Sequence, residues 1–265
     1  MQLEIEPAGA RGSVTLVGGG PGDPGLLTVA GAAALREADV VFYDRLAPSA
    51  DLAALAPCAE LVDVGKRPFH HPVSQRSIER QLVERARGGQ AVVRLKGGDP
   101  YVFGRGGEEV QACRAAGIEV RVVPGVSSAV SVPAAAGIPV THRGISSAFT
   151  VVSGHVPPSA EQYAALAALD GTLVILMGIA NLTPITAGLI RAGLAPSTPA
   201  AVVERGYAPD QRTVFAPLGG LAEEVRRLEV ASPAVVVIGA VVRLAGGQAA
   251  ALDRLAGVWA DSGAA

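Results

Sequence analysis

Asp44 and Lys66 are candidates for moving protons, because each lies at or shortly after the end of a short apolar run that predicts a strand. Asp44 follows Val40–Tyr43, and Lys66 comes shortly after Leu61–Val64. The carboxyl ends of parallel strands meet at one edge of a sheet, where ligands usually bind. A carboxylate and an ammonium group held there stabilise each other's charged forms or exchange protons with a substrate. The alternative for such a pair is an ordinary surface salt bridge.

Glycine-rich segments follow other predicted strands of the same half of the chain. The first strand leads into "GGGPGDPG", and a later one leads into "LKGGDP". Glycine lets the backbone come close to a ligand, and Asp99 can accept hydrogen bonds from ribose hydroxyls or an amine. A tight turn built for geometry alone is the alternative for either segment. Because "GGGPGDPG", "YDRL", "VGKRP" and "LKGGDP" end successive strands, we expect one binding site at a shared edge.

The first of these loops also matches the G-x-G-x-x-G pattern of dinucleotide-binding folds. Asp44 lies about where the ribose-binding acid of such a fold would be. However, Pro21 and Pro24 remove two N–H donors that would face a pyrophosphate. The helical pattern also begins only near Thr28. This loop therefore favours a ligand that needs close approach to the backbone but no phosphate-binding loop. An NAD-binding oxidoreductase is kept as the less favoured alternative.

Two rare residue types add to the candidate site. Lys66 and Lys96 are the only lysines among 22 basic residues. Met177, which closes the run "TLVILM", either fills a gap in the core or packs against an adenine ring.

The order of the predicted elements indicates an α/β protein of two domains. Short apolar runs alternate with helical patterns, which is typical of strands buried on both faces of a parallel sheet. We predict domains at 1–144 and 145–265, with a largely parallel sheet in the first. The run "VVERGYAPDQRTVFAPL" predicts two strands joined by a turn, so the second sheet is expected to be mixed. The predicted strands are Ser13–Val17, Val40–Tyr43, Leu61–Val64, Ala91–Leu95, Val120–Val123, Phe149–Ser153, Thr172–Met177, Ala200–Glu204, Arg212–Ala216 and Ala234–Ile238.

Composition argues against several classes of function. The chain has 265 residues, a net charge of −2 and 17% charged residues, so it lacks the overall basic field of a nucleic-acid-binding protein. Its apolar runs are too short to cross a bilayer, and its first residues lack a signal-peptide pattern, so we expect a cytoplasmic protein without a membrane partner. His70 and His71 lack the partner spacing of a metal site, and we predict no metal.

Several of these motifs together resemble the tetrapyrrole methyltransferases. The matching segments are "VGGGPGDPGLLT", "ADVVFYDRL", "VGKR", "VVRLKGGDPYVFGRGGEE", "VVPGVSSA" and "GIPVTHRG". Weaker matches continue at "LVILMG", "VVERG" and "SPAVVVIG", so the likeness covers about residues 13–243. A series of motifs in this order is far more specific than any single glycine-rich loop.

The resemblance implies a class III methyltransferase fold: two α/β/α domains with the active site in the cleft between them, usually as a homodimer. It implies S-adenosyl-L-methionine as methyl donor, S-adenosyl-L-homocysteine as product, and no metal. The implied substrate is uroporphyrinogen III, methylated at C2 and C7 to precorrin-2, which leads to sirohaem and cobalamin-type tetrapyrroles. Alternatives within the fold act on a later corrin intermediate, a protein or rRNA. A non-catalytic binding module is a further alternative.

The resemblance also assigns roles to residues at matching positions. Asp44 and Lys66 match the pair that accepts and donates protons. Because the family's catalytic lysine matches Lys66, the resemblance implies that Lys96 anchors the end of its strand or shapes the field of the site. Ser127 and Ser128 stand where the family commonly has Thr-Ala, so a small hydroxyl is kept at the first position. The implied donor contacts are Pro21, Gly97, Gly98, Asp99, Val102, Ser127, Ser128, Met177 and Gly206. The basic residues expected to pair with substrate carboxylates are Arg45, Lys66, Arg67, Arg105, His142 and Arg143.

Overall fold

The first sheet has five strands, all parallel, in the order β3-β2-β4-β1-β5. The structure, a computed structural model, describes residues 12–49, 51–65 and 73–245. These form two compact units that divide after Ser127. The elements of the first unit are β1 (Ser13–Gly18), α1 (Val29–Arg36), β2 (Val40–Tyr43), α2 (Leu52–Leu55), β3 (Glu60–Asp63), α3 (Gln75–Arg87), β4 (Ala91–Lys96), α4 (Gly106–Ala115) and β5 (Glu119–Val123).

Alternate residues of the central strands build two apolar layers, one on each face of the first sheet. Leu16 and Val92 face Ile78 and Leu82 of α3. On the other face, the neighbouring strand residues pack with Leu35 of α1 and with α2. Because both faces are covered, the central strands contain almost only apolar side chains.

Local capping fixes where the helices of the first unit begin. The Thr28 hydroxyl accepts the Gly31 N–H at 3.1 Å and starts α1 at Val29. Ser74 caps α3 in the same way through the Ser77 N–H. The 3₁₀ turn Pro24–Leu26 and an extended Leu27 separate the first glycine loop from α1. The loop therefore does not run directly into the N-terminus of α1, which agrees with the helical pattern that begins only near Thr28.

The second sheet also has five strands, in the order β6-β7-β10-β8-β9, and is mixed. β6 runs parallel to β7, whereas β10 is antiparallel to both β7 and β8, and β8 pairs with β9 as an antiparallel hairpin. The elements of the second unit are α5 (Ser128–Ala135), β6 (Phe149–Ser153), α6 (Ala160–Ala168), β7 (Thr172–Leu176), α7 (Leu182–Arg191), β8 (Pro199–Glu204), β9 (Arg212–Pro217), α8 (Leu218–Arg227) and β10 (Ala234–Ile238).

Helices cover both faces of the second sheet as well. α6, α7 and α8 pack on one face around Ile175 and Val202. On the other face, α5 and the 3₁₀ helix Ala240–Leu244 pack against Val174 and Val203. Two α/β sheets, one parallel and one mixed, each with helices on both faces, confirm the predicted fold class.

Helix α5 was not predicted from the sequence. It begins in a serine pair and contains Pro133, and its apolar residues show almost no one-sided periodicity. Its packing on the second sheet places residues 128–144 with the second compact unit, whereas the predicted domains assign them to the first. The division of functional roles between 1–144 and 145–265 stays a prediction.

Candidate functional site

The loops that follow β1 and β4 are joined by backbone hydrogen bonds at the carboxyl edge of the first sheet. Gly20 and Gly98 form an antiparallel bridge, in which the Gly98 N–H donates to Gly20 O at 2.6 Å and the Gly20 N–H donates to Gly98 O at 3.2 Å. The Gly19 N–H donates to Lys96 O at 2.7 Å. Gly20 and Gly98 have φ of 71° and 66°, which favours glycine. The two segments therefore share one edge, as predicted.

Loops after the neighbouring strands close on the same edge. A Cβ on Gly97 would lie 2.5 Å from Leu46 Cβ and 2.9 Å from Leu46 O, so the loop after β2 occupies that space. A Cβ on Gly125, after β5, would lie 2.3 Å from Gly98 O. Gly97 is thus needed for packing inside the protein, and its contact with a methyl donor stays a prediction.

Asp99 has partners inside the loop. Its Oδ1 accepts the Tyr101 N–H at 2.8 Å, and its Oδ2 accepts the Gly125 N–H at 3.1 Å. The carboxylate therefore ties the loop after β4 to the loop after β5. Each oxygen keeps further acceptor capacity, so the predicted contact of Asp99 with a donor is compatible with these bonds.

Asp44 lies at the end of β2 with its carboxylate held from two sides. Its Oδ1 accepts the Leu46 N–H at 3.1 Å, and its Oδ2 accepts a hydrogen bond from Arg94 Nη2 at 3.2 Å. The Asp44 side chain is 28% exposed, whereas that of Arg94 is 5% exposed. Asp44 is thus an oriented carboxylate with access to solvent, as its proposed chemistry requires.

A buried charge cluster lies behind Asp44. The Glu109 side chain on α4 is completely buried and accepts hydrogen bonds from Arg94 Nε at 3.1 Å and Lys96 Nζ at 3.2 Å. The Gln75 amide donates to the same carboxylate at 3.2 Å. Two cations and two carboxylates, including Asp44, therefore balance one another beneath the edge of the sheet. We call Asp44, Arg94, Lys96 and Glu109 the charge cluster.

Sequence reasoning did not single out Arg94 or Glu109. One signal was available: Arg94 is charged in the middle of an apolar strand that is covered on both faces, so it needs a buried partner. The clustering also shows what Lys96 does. Burial lowers the pKa of the Lys96 ammonium, assisted by the nearby Arg94 charge and opposed by Glu109. Its ion pair with Glu109 anchors the end of β4, one of the two roles expected for it.

The second unit presents its own group of predicted residues at one edge of the second sheet. β7 and β8 run in the same direction, so Met177 and Arg205–Gly206 follow their strands at a common edge. Met177 is 46% exposed, which rules out the core-filling role considered for it. A Cβ on Gly206 would lie 2.7 Å from Val132 Cγ1, so this glycine lets α5 pack closely.

Three residues at this edge have backbone conformations that side-chain-bearing residues rarely adopt. Met177, Arg205 and Tyr207 have φ of 57°, 49° and 68°. Such conformations are typical of functional sites, where the surrounding structure enforces them. Glu204 lies immediately before this group. It is buried and accepts hydrogen bonds from Arg212 Nε at 2.5 Å and from the Ala231 N–H at 2.9 Å.

The remaining predicted residues differ in how fully the structure describes them. Lys66, Arg67, His70 and His71 lie outside the described residues. Pro21, Ser127 and Ser128 are half-buried, and Val102 is exposed. Of the residues expected to bind carboxylates, those that the structure describes are exposed: Arg45, Arg105, His142 and Arg143.

Arg105 already has a carboxylate partner within the chain. Its Nε and Nη2 donate to the two oxygens of Glu108 at 2.8 and 2.6 Å. The same bonds lower the pKa of the Glu108 carboxyl. In the second unit, the His142 Nδ1 lies 2.8 Å from Arg143 O. Binding of substrate carboxylates by the four exposed basic residues remains a proposal.

Residues 12–49, 51–65 and 73–245 contain neither a cluster of metal ligands nor a helix that could span a membrane. Within these ranges, no three His, Cys, Asp or Glu side chains cluster closely enough to ligate a metal ion. No helix there has the length and apolar content that crossing a bilayer requires.

Comparison with known proteins connects both units to one family. The family model described as tetrapyrrole (corrin/porphyrin) methylases matches residues 13–222. The chain is 46% identical to the S-adenosyl-L-methionine-dependent uroporphyrinogen III methyltransferase of Methanosarcina barkeri, over 89% of this chain and 94% of that protein.

Solved structures agree with this match. The uroporphyrin-III C-methyl transferase of Thermus thermophilus, complexed with S-adenyl homocysteine, is 45% identical, with a TM-score of 0.75 over 88% of this chain and 100% of that one. A cobalt precorrin-4 methyltransferase of cobalamin biosynthesis is 28% identical, with a TM-score of 0.78 over 90% of this chain and 99% of that one. The chain belongs to the tetrapyrrole methylases.

Proposed function

We propose that this protein is a uroporphyrinogen-III C-methyltransferase that uses S-adenosylmethionine. The observation that carries the proposal is the 46% identity, across both units, with an enzyme named for this reaction. The Thermus thermophilus relative complexed with S-adenyl homocysteine supports the choice of donor. The fold alone does not select the substrate, because the cobalt precorrin-4 methyltransferase is equally similar in structure but less similar in sequence.

The donor, when bound, supplies an activated methyl group on a sulfonium. The chain must therefore align the two reactants and exclude water. The electron pair of a pyrrole β-carbon forms the new carbon–carbon bond, and the sulfonium leaves as a neutral thioether, S-adenosylhomocysteine. The cationic ring that results must lose a proton. Asp44, an oriented carboxylate with solvent access, accepts this proton directly or through a water molecule.

Donor binding is assigned to residues from both units. In the first unit, the residues assigned to the donor lie in the joined loops after β1 and β4: Pro21, Gly97, Gly98, Asp99 and Val102. Met177 and Gly206 follow β7 and β8 in the second unit, and Ser127 and Ser128 stand at the start of α5. The exposed side chain of Met177 suits stacking on an adenine ring. Lys66 is assigned the proton-donating role.

Recognition of the substrate is assigned to basic side chains, because uroporphyrinogen III is rich in carboxylates. Four of these side chains are exposed: Arg45, Arg105, His142 and Arg143. Lys66 and Arg67 follow β3 in the sequence. Arginine suits this task because its guanidinium binds a carboxylate through two parallel hydrogen bonds. Charge gathered near the site reconciles an anionic substrate with a net charge of −2.

An assay with tritiated S-adenosylmethionine and uroporphyrinogen III tests the proposal. We expect tritium in the tetrapyrrole and a product with the absorption spectrum of a precorrin-2 chromophore. Transfer to cobalt precorrin-4 or another later corrinoid, without transfer to uroporphyrinogen III, would assign the chain to a sibling enzyme. Binding of S-adenosylhomocysteine with no transfer to any tetrapyrrole would point to a binding module. Tight binding of NAD instead would restore the oxidoreductase alternative.

We further propose a homodimer, on the family resemblance, and a cytoplasmic protein without nucleic-acid or membrane partners, on the charge and apolar pattern of the sequence. Sedimentation equilibrium of the purified chain tests the oligomeric state. We expect twice the chain mass of 26.7 kDa, and a monomer at assay concentrations would contradict this part of the proposal.

A further inference from the structure

Two hydrogen bonds orient the Asp44 carboxylate. One of its oxygens accepts the N–H of Leu46, two residues further on, at 3.1 Å. The other oxygen accepts Arg94 Nη2 at 3.2 Å, across 50 residues of sequence. The backbone contact limits the position of one oxygen, and the guanidinium fixes the rotation that remains. Arg94 therefore determines which face of the carboxylate meets the solvent.

The guanidinium of Arg94 is itself immobilised by hydrogen bonds. Nη1 donates to Leu95 O at 2.7 Å and to Phe42 O at 3.4 Å, and Nε donates to Glu109 at 3.1 Å. Its side chain is buried, and so is that of Glu109. A planar group held on three sides in this way keeps its fourth contact, with Asp44, in one geometry. This arrangement suits a rigid support for a reacting side chain.

We propose that Arg94, held in place by Glu109, is a positioning residue that orients the Asp44 carboxylate for proton removal. The inference rests on the proposed function and adds residues to its mechanism. Arg94 acts on the reaction through Asp44 and does not itself touch the substrate. The alternative is a purely structural ion pair, whose loss would impair every property of the enzyme that depends on folding.

A double-mutant cycle on turnover separates the two roles. The variants are Arg94→Gln, Asp44→Asn and the double variant, each measured with uroporphyrinogen III and S-adenosylmethionine. We expect Arg94→Gln to lower kcat about 10- to 100-fold, since a small misplacement of a catalytic group has effects of this size. The KM for the donor should stay within about twofold of wild type because the donor loops are intact. In the Asp44→Asn background, Arg94→Gln should lower kcat by less than about twofold.

A conservative variant and a matched control complete the experiment. Arg94→Lys keeps the positive charge but lacks the planar fork that reaches Asp44, Glu109 and two carbonyl groups together. It should recover only part of the lost kcat, and it replaces Arg94→Gln in the cycle if that variant does not fold. Arg85→Gln removes an arginine of the first unit that pairs with Glu60 at 2.5 Å near the surface, and it should retain wild-type kcat.

The outcomes distinguish the inference from the function on which it rests. Fully additive losses in kcat, or wild-type kcat in Arg94→Lys, would overturn the positioning role while leaving the methyltransferase activity established. A wild-type protein that binds S-adenosylhomocysteine but transfers no methyl group to uroporphyrinogen III would overturn the proposed function, and the inference with it.

Discussion

The two sheet edges that carry the predicted site are built in different ways. At the first edge, positive-φ glycines join the loops, and a fully buried Glu109 neutralises two buried cations. At the second edge, residues with side chains adopt positive φ, and the buried Glu204 pairs with Arg212 and Arg205, which reach solvent. The first edge therefore depends on desolvated charge, and the second on backbone conformation and solvated ion pairs.

Removing the charge of Glu109 should have the largest effect on stability. Glu109→Gln leaves Lys96 buried without a carboxylate partner, and it leaves Arg94 with only the partly exposed Asp44. Breaking a buried ion pair in this way lowers the free energy of unfolding by about 3–5 kcal/mol. Urea denaturation measures the change. The adjacent Glu108→Gln removes an exposed carboxylate and should leave the denaturation midpoint near that of wild type. Equal midpoints for both variants would show that the cluster is solvated.

A side chain at Gly98 should weaken donor binding by a smaller free energy. Gly98→Val places a β-branched residue at a φ of 66°, in the bridge to Gly20 and beside Gly125. We expect at least a 100-fold weaker binding of S-adenosylhomocysteine, which is about 2.7 kcal/mol. Calorimetry measures the affinity, and circular dichroism checks the fold. Gly107→Val, in open space on α4, should bind like wild type. Wild-type affinity in Gly98→Val would contradict the donor-loop assignment.

The corresponding change in the second unit should have a weaker effect on stability. Glu204→Gln removes a charge whose arginine partners are partly exposed, and solvent screens those pairs. We expect the free energy of unfolding to fall by about 1.5 kcal/mol, the lower end of the range for a hydrogen bond to a charged group. A loss as large as that of Glu109→Gln would erase the contrast between the two edges.

The stability that the pair of Glu204 and Arg212 contributes should depend on pH. The hydrogen bond from Arg212 lowers the pKa of Glu204 below its ordinary value of 4.5. A lowered pKa in the folded state gives stability that is complete above pH 4.5 and is lost as pH falls through the folded value. The difference in urea midpoint between wild type and Glu204→Gln should therefore shrink between pH 7 and pH 3. A constant difference would mean that the pKa of Glu204 is the same in the folded and the unfolded protein.

Much of the fold was predictable from sequence because strand and helix signals are local. The bounds of β2, β6 and β10 agree with the prediction residue for residue. Helix α5 was missed because Pro133 and the serine pair argue against a helix, and its packing on the second sheet overrides them. Tertiary contacts of this kind leave no periodic signal.

The backbone geometry of the site could be predicted from the sequence, but most contacts of its side chains could not. Glycine and proline reveal loop geometry directly, so the convergence of the loops after β1 and β4 followed from the sequence. The contacts of Arg94 with Asp44 and Glu109 span 50 and 15 residues, and no local pattern specifies them. The contact of Leu46 with Gly97 was likewise hidden, since glycine next to a site suggests room for a ligand.

The bridge between Gly20 and Gly98 orders the two loops before any ligand binds. Loop amides normally exchange their hydrogens quickly, but those of Gly20 and Gly98 are bonded like amides inside a sheet. They should exchange at rates similar to those of β1 and β4. A small molecule arriving at this surface meets atoms that are already ordered, so little conformational entropy is lost on association.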